Sequence, residues 1–187
     1  VWYDFAPDVK DDWGLFDPIN GTQPMQRLTL ADRSQVSWSP DSLQFVAETQ
    51  TDSEGELLNR LELFNRDGVN LGSIFLETNG QRIRSAFDES MNIRWSPDGR
   101  YLAFITTTLS YPTIISLFIA DMQEKHVYNT CIEPGDGLAW SPDGTKLAMM
   151  DFYDSKRHRP VMVLDLETWS LYTVAYHDGS VIGWREN

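Results

Sequence analysis

Three times along the chain a short apolar stretch ends at a tryptophan, a polar turn follows, and a second apolar stretch returns. Val36-Ser37-Trp38-Ser39-Pro40-Asp41 is followed by Leu43-Gln44-Phe45-Val46-Ala47. Ile93-Arg94-Trp95-Ser96-Pro97-Asp98-Gly99 is followed by Arg100-Tyr101-Leu102-Ala103-Phe104, and Leu138-Ala139-Trp140-Ser141-Pro142-Asp143-Gly144 by Thr145-Lys146-Leu147-Ala148-Met149. Proline presets φ at the first central turn position, aspartate hydrogen-bonds back to the turn backbone, and glycine accepts a positive φ, so Ser-Pro-Asp-Gly predicts a hairpin turn. A third strand is expected over 60–65, 115–120 and 161–165. Each ends in another polar turn, such as Asn65-Arg66-Asp67-Gly68 or Asp165-Leu166-Glu167-Thr168. A fourth strand is expected over 73–77, 125–129 and 170–175. A degenerate fourth start, Val181-Ile182-Gly183-Trp184, comes near the C-terminal end, and the tryptophans are 57, 45 and 44 positions apart. Four antiparallel strands at this period predict an all-β propeller of about four blades, with the recurrent tryptophan plugging the interface between neighbours.

Trp-Ser-Pro-Asp-Gly followed by an aliphatic strand resembles the repeat of the TolB-like, WD-like β-propellers. The resemblance covers nearly the whole chain and rests on Trp38, Pro40, Asp41, Trp95, Pro97, Asp98, Gly99, Trp140, Pro142, Asp143, Gly144 and Trp184. It implies a rigid scaffold rather than a chemistry, since this motif builds the repeat. The family includes periplasmic and secreted proteins and the propeller domains of some serine peptidases, which implies a periplasmic, cell-surface or secreted location. Two departures stand out: Ser42 occupies the glycine position, which predicts a distorted turn, and Arg185-Glu186-Asn187 replaces Ser-Pro-Asp.

The first 37 residues read as the second, third and fourth strands of a blade, over 1–5, 12–17 and 26–30. Residues 181–184 read as a first strand. The two ends therefore supply complementary parts of one composite blade, and residues 1–187 are expected to form a single propeller domain. Consecutive blades cut from a larger ring, or a ring completed by two chains, would give the same complementary ends. The chain begins at Val1, which leaves open an upstream signal peptide or lipid anchor.

A formal net charge of -13 and a pI near 4.5 disfavour nucleic acid, which needs a basic footprint, and an acidic surface repels anionic headgroups. The sequence has no apolar run long enough to span a membrane. The single cysteine, Cys131, has no internal disulfide partner and is expected to be a small buried hydrophobe.

No G-x-S-x-G elbow, P-loop, dinucleotide fingerprint or H-E-x-x-H is present. His126, His158 and His177 lack metal-ligand spacing, and Asp4, Asp8, Asp11, Asp12 and Asp17 lack the order of an EF-hand loop. No catalytic residue, metal or cofactor is expected. Residues 50–59, of loop-like composition, lengthen the connection from second to third strand, residues 78–90 lengthen the connection into the next blade, and together they account for the longest tryptophan spacing. Lys156, Arg157, His158 and Arg159 form a local basic cluster on an acidic protein, and Tyr111, Trp13 and Trp169 are aromatics outside the repeated core positions. These seven residues are the candidate partner contacts, because loops on a rigid scaffold carry specificity. The function expected is a noncatalytic protein-interaction scaffold. The alternatives are a glycan-binding or glycan-processing propeller and an accessory domain of a larger peptidase.

Overall fold

The computed structural model describes residues 2–4, 12–15, 26–29, 36–53, 56–74, 83–84, 92–108, 115–135, 137–151, 159–177 and 183–184. Every regular element among them is a β-strand, and all strand pairs are antiparallel. The chain divides into two compact units, one of residues 1–75 with 87–90 and one of residues 76–86 with 91–187.

The first unit holds two sheets. Strands β1 (Trp2–Asp4), β2 (Asp12–Leu15) and β3 (Gln26–Thr29) pair in sequence order, as expected for the second to fourth strands of a blade. The second sheet, β4 (Val36–Trp38), β5 (Gln44–Ser53), β6 (Glu56–Asn65) and β7 (Asn70–Ser73), is a four-stranded meander. Phe45, Ala47 and Phe64 are buried together with Val36 and Trp38 packed against them, and the Phe45 and Phe64 rings stack at 5.1 Å. Residues 50–59 were expected as a loop. Residues 50–53 and 56–59 instead continue β5 and β6 as a ladder out to Ser53↔Glu56, because a register fixed by Phe45↔Phe64 carries outward along both strands. The fourth strand falls on Asn70–Ser73, three residues earlier than expected. The tight Asn65 turn, with Gly68 at φ 82, returns the chain at once.

The second unit holds two more sheets. One contains β9 (Arg94–Trp95), β10 (Tyr101–Thr108), β11 (Ile115–Asp121) and β12 (His126–Asn129). It gains a strand that the sequence reading placed inside an insertion: β8 (Ile83–Arg84), which pairs with Thr107 and Thr108. The other is β13 (Ala139–Trp140), β14 (Lys146–Met150), β15 (Arg159–Asp165) and β16 (Ser170–His177), in that order. Ala103, Leu117 and Ile119 from one sheet pack with Trp140, Leu147, Met149, Met162 and Leu164 from the other in a single buried cluster. Blades bury their faces against neighbours, which is why β11 and β14 are buried along nearly their whole length.

The composite blade rests on residues 1, 5, 181 and 182, which lie outside the described residues.

Candidate functional site

The residues that define the repeat build one local device three times. Ser39, Ser96 and Ser141 are buried, and each hydroxyl donates to the aspartate two positions on: Asp41 at 2.6 Å, Asp98 at 2.5 Å and Asp143 at 2.6 Å. The same Oγ accepts the amide that opens the next strand, from Gln44 (3.1 Å), Tyr101 (2.8 Å) or Lys146 (2.9 Å). The carboxylate in turn accepts the amide of Leu43, Arg100 or Thr145. Donors focused on one carboxylate favour its ionised form. The Ser39 hydroxyl, then the Leu43 amide, hold Asp41 below the ordinary carboxylate range, and the Ser141 hydroxyl followed by Thr145 does the same for Asp143.

Ser42 does not distort its turn. It takes φ 58, beside 73 for Gly99 and 71 for Gly144, and its amide reaches the Ser39 carbonyl at 2.9 Å as the glycines reach Ser96 and Ser141. The flanking hydrogen bonds outweigh the cost of a left-handed serine, about 1–2 kcal/mol.

Two tryptophans of the second unit, Trp140 and Trp184, each link one repeat to the one before. Trp140 Nε1 donates to the Arg94 carbonyl at 3.0 Å, and its ring stacks on Tyr101. Trp184 Nε1 donates to the Ala139 carbonyl at 2.8 Å. Arg94 and Ala139 each immediately precede their own repeat's tryptophan, so the contact is the same one advanced by a repeat. The degenerate start at Trp184 thus keeps the indole's role although Ser-Pro-Asp is lost. The turns approach closely too: a Cβ on Gly144 would stand 3.2 Å from Asp98 Oδ1.

Each third strand ends in an acceptor that closes the second turn. Asp121 accepts the Gln123 and Glu124 amides and pairs with Arg100 at 2.8 Å. Burial pushes Asp121 up, but the Glu124 amide, Arg100 and the Gln123 amide together bring it below the usual range. Asp165 accepts the Glu167 and Thr168 amides and pairs with Lys146 at 2.8 Å. Lys146 first, then the Thr168 amide, bring it down to about 2.

Three of the seven candidate contacts, Arg159, Trp13 and Trp169, lie among the described residues. Arg159 is exposed at the start of β15. Trp13 is on β2, paired through its backbone with Asp4 and Leu28. Tyr111, Lys156, Arg157 and His158 lie outside the described residues. Trp169 is 46% exposed, holds φ 52 at the end of its turn, and tilts against Tyr128 at 4.8 Å, which meets His126 edge-on at 4.4 Å. Cys131, expected to be buried, is exposed at φ 55, because it sits in the turn after β12 where Asn129 Oδ1 caps its amide.

Two features escaped the sequence reading. Glu48 is buried on β5, at the position that the later repeats fill with Ile105 and Met150. Aligning second strands residue by residue shows it as an acid in an aliphatic column. The other is the outer strand β16, where Leu171, Tyr172, Val174 and Tyr176 are exposed. Among the described residues no group of three His, Cys, Asp or Glu is placed to hold a metal, and no helix is long and apolar enough to cross a membrane.

No protein-family model matches the sequence. Solved structures do. TolB from Acinetobacter baumannii aligns over 91% of this chain and 39% of its own, with a TM-score of 0.55 and 17% identity. An oligogalacturonate lyase in complex with manganese aligns over 83% and 39%, at 0.58 and 17%. The β-propeller domain of the Trilobed protease from Pyrococcus furiosus, described as having an open velcro topology, aligns over 77% and 42%, at 0.51 and 15%. The chain thus spans about two fifths of the length of each of these structures. With the repeat geometry already described, these likenesses make the fold of the chain a TolB-like β-propeller.

Proposed function

We propose that this chain is a noncatalytic scaffold for protein–protein interaction that works outside the cytoplasm. The observation that carries the reading is the use made of the repeat's polar residues. Three buried serines, their aspartates, and the Arg100–Asp121 and Lys146–Asp165 pairs are all engaged in closing turns and strands. Their hydrogen bonds are satisfied within the scaffold, and such groups serve rigidity. The exposed aromatic and aliphatic side chains sit instead on an outer strand and its turn, at Trp169 and along β16. Exposed aromatics of this kind anchor protein partners. The resemblance to periplasmic and secreted propellers supports that location.

The test is site-specific photocrosslinking in the native cell envelope from Arg159 and Trp169, followed by binding of the purified partner. One partner captured from both sites, whose affinity falls at least roughly tenfold with Trp169→Ala, supports the reading. Steady turnover of oligogalacturonate or a peptide by the purified chain, abolished by one side-chain substitution that leaves the fold intact, overturns it in favour of an enzymatic propeller.

A further inference from the structure

We infer that β16 is a self-association edge, at which two copies of this chain pair antiparallel across a two-fold axis. Among the described residues β16 pairs only with β15 and ends its sheet, so one side of its backbone faces outward. An open edge is a template for another strand, and natural proteins blunt such edges by making them short or charged. The chain offers its own comparison. Strands β7 and β12 hold the same place in their sheets and are four residues long, whereas β16 has eight. Strand β7 carries Gly72 at φ 124, and Val127 and Tyr128 of β12 are half-buried. Strand β7 exposes Leu71 at 53%, whereas β16 exposes four large apolar side chains, Leu171, Tyr172, Val174 and Tyr176, at 44, 42, 53 and 66%.

The chemistry of the edge selects a second copy. No residue from Ser170 to Tyr176 carries a charge, on a chain of net charge -13. Two such chains repel over most of their surfaces, and like charges opposed across a ladder are destabilising. This stretch opposes itself without that penalty. Its aromatic and β-branched residues are the ones that stabilise cross-strand pairs. The bulge at Val174 preserves both faces: Tyr172 and Ala175 stay on the side of Val163 and Val161, and Thr173 and Tyr176 on that of Met162 and Pro160. An edge alone offers less than the ~800 Å² per partner of a standard interface, so the dimer is weak, with a dissociation constant on the order of micromolar.

The inference shares the exposed β16 surface with the scaffold reading, and its test is kept apart from that reading because self-association is measured with no other protein present. Sedimentation velocity of the whole chain is measured over a roughly hundredfold concentration range about the micromolar, with Val174→Lys and Tyr172→Lys beside it. Reducing buffer is used, because the exposed Cys131 would otherwise cross-link copies. The expected result is a shift from one chain to two, weakened at least roughly tenfold by either lysine, while Leu71→Lys on β7 leaves it unchanged. Should both lysine variants fail to fold, Tyr176→Lys, at the most exposed position of the strand, replaces them. A wild-type chain that stays monomeric throughout overturns the inference, and so does a dimer that persists with lysine in β16.

Discussion

Replacing Ser96 by alanine tests the physical account of the repeat at its most buried point. The serine is fully buried, and its hydroxyl joins the turn to the next strand by donating to Asp98 and accepting the Tyr101 amide. Alanine leaves that amide without its acceptor, at about 1–3 kcal/mol for a buried donor. The Asp98 carboxylate is exposed and keeps the Arg100 amide, so losing the hydroxyl there adds no more than about 1 kcal/mol. The expected loss is about 2–3 kcal/mol, or roughly 4–12 °C in Tm for a chain of this size. Urea denaturation of both proteins, followed by tryptophan fluorescence, measures it. Ser141→Ala repeats the experiment at the equivalent turn and is expected to agree within about 1 kcal/mol. A loss below about 0.5 kcal/mol at both sites would refute the reasoning, because the hydroxyls would then be incidental to the turn.

The left-handed turn position gives two predictions of opposite sign: Ser42→Gly stabilises by about 0.5–1 kcal/mol, whereas Gly144→Ala costs about 1–2 kcal/mol and crowds Asp98, both read by thermal melts. Trp140→Phe keeps the stack on Tyr101 but removes the donor to Arg94, costing about 1 kcal/mol in urea denaturation, and Trp184→Phe, at the more exposed site, costs less. Asp165 is depressed from 3.8 to about 2 when folded, so its pairing with Lys146 is fully present above about pH 4 and is lost as pH falls through about 2. Lys146→Met is therefore destabilising at neutral pH and loses that effect near pH 2, and a stability difference independent of pH over this range would contradict the assignment.

The strands of the regular repeats were legible because each rests on a local code. Trp-Ser-Pro-Asp-Gly makes its own turn through hydrogen-bond partners no more than five positions apart, so no distant information is needed. Where the code is local but incomplete it misleads: Ser42 predicts distortion by propensity, but the bond of its amide to the Ser39 carbonyl and the Ser39–Asp41 network hold the turn. Strand β8 was invisible for the opposite reason, since Ile83 and Arg84 become a strand only by meeting Thr107 and Thr108 in a partner far along the chain. The exposure of β16 could not be read either. Its alternation of aromatic and β-branched residues is that of a strand, but whether both faces meet solvent depends on tertiary neighbours. Among the candidate contacts, residue type alone singles out Trp169, while its positive φ and its contact with Tyr128 are visible only in the structure.

The indole bond that reaches one repeat backward also bears on how such a chain grows. Trp140 uses the carbonyl before Trp95, and Trp184 uses the carbonyl before Trp140. If the segment from Ser96 to Trp140 were copied in tandem, the new tryptophan would find the first copy's Ala139 carbonyl waiting, and Trp184 would find the second's. No donor is orphaned and no acceptor is used twice. Gene duplication can therefore add or remove a whole repeat at this boundary without breaking the grammar of the interface, leaving the number of repeats as a variable that evolution can change in single steps.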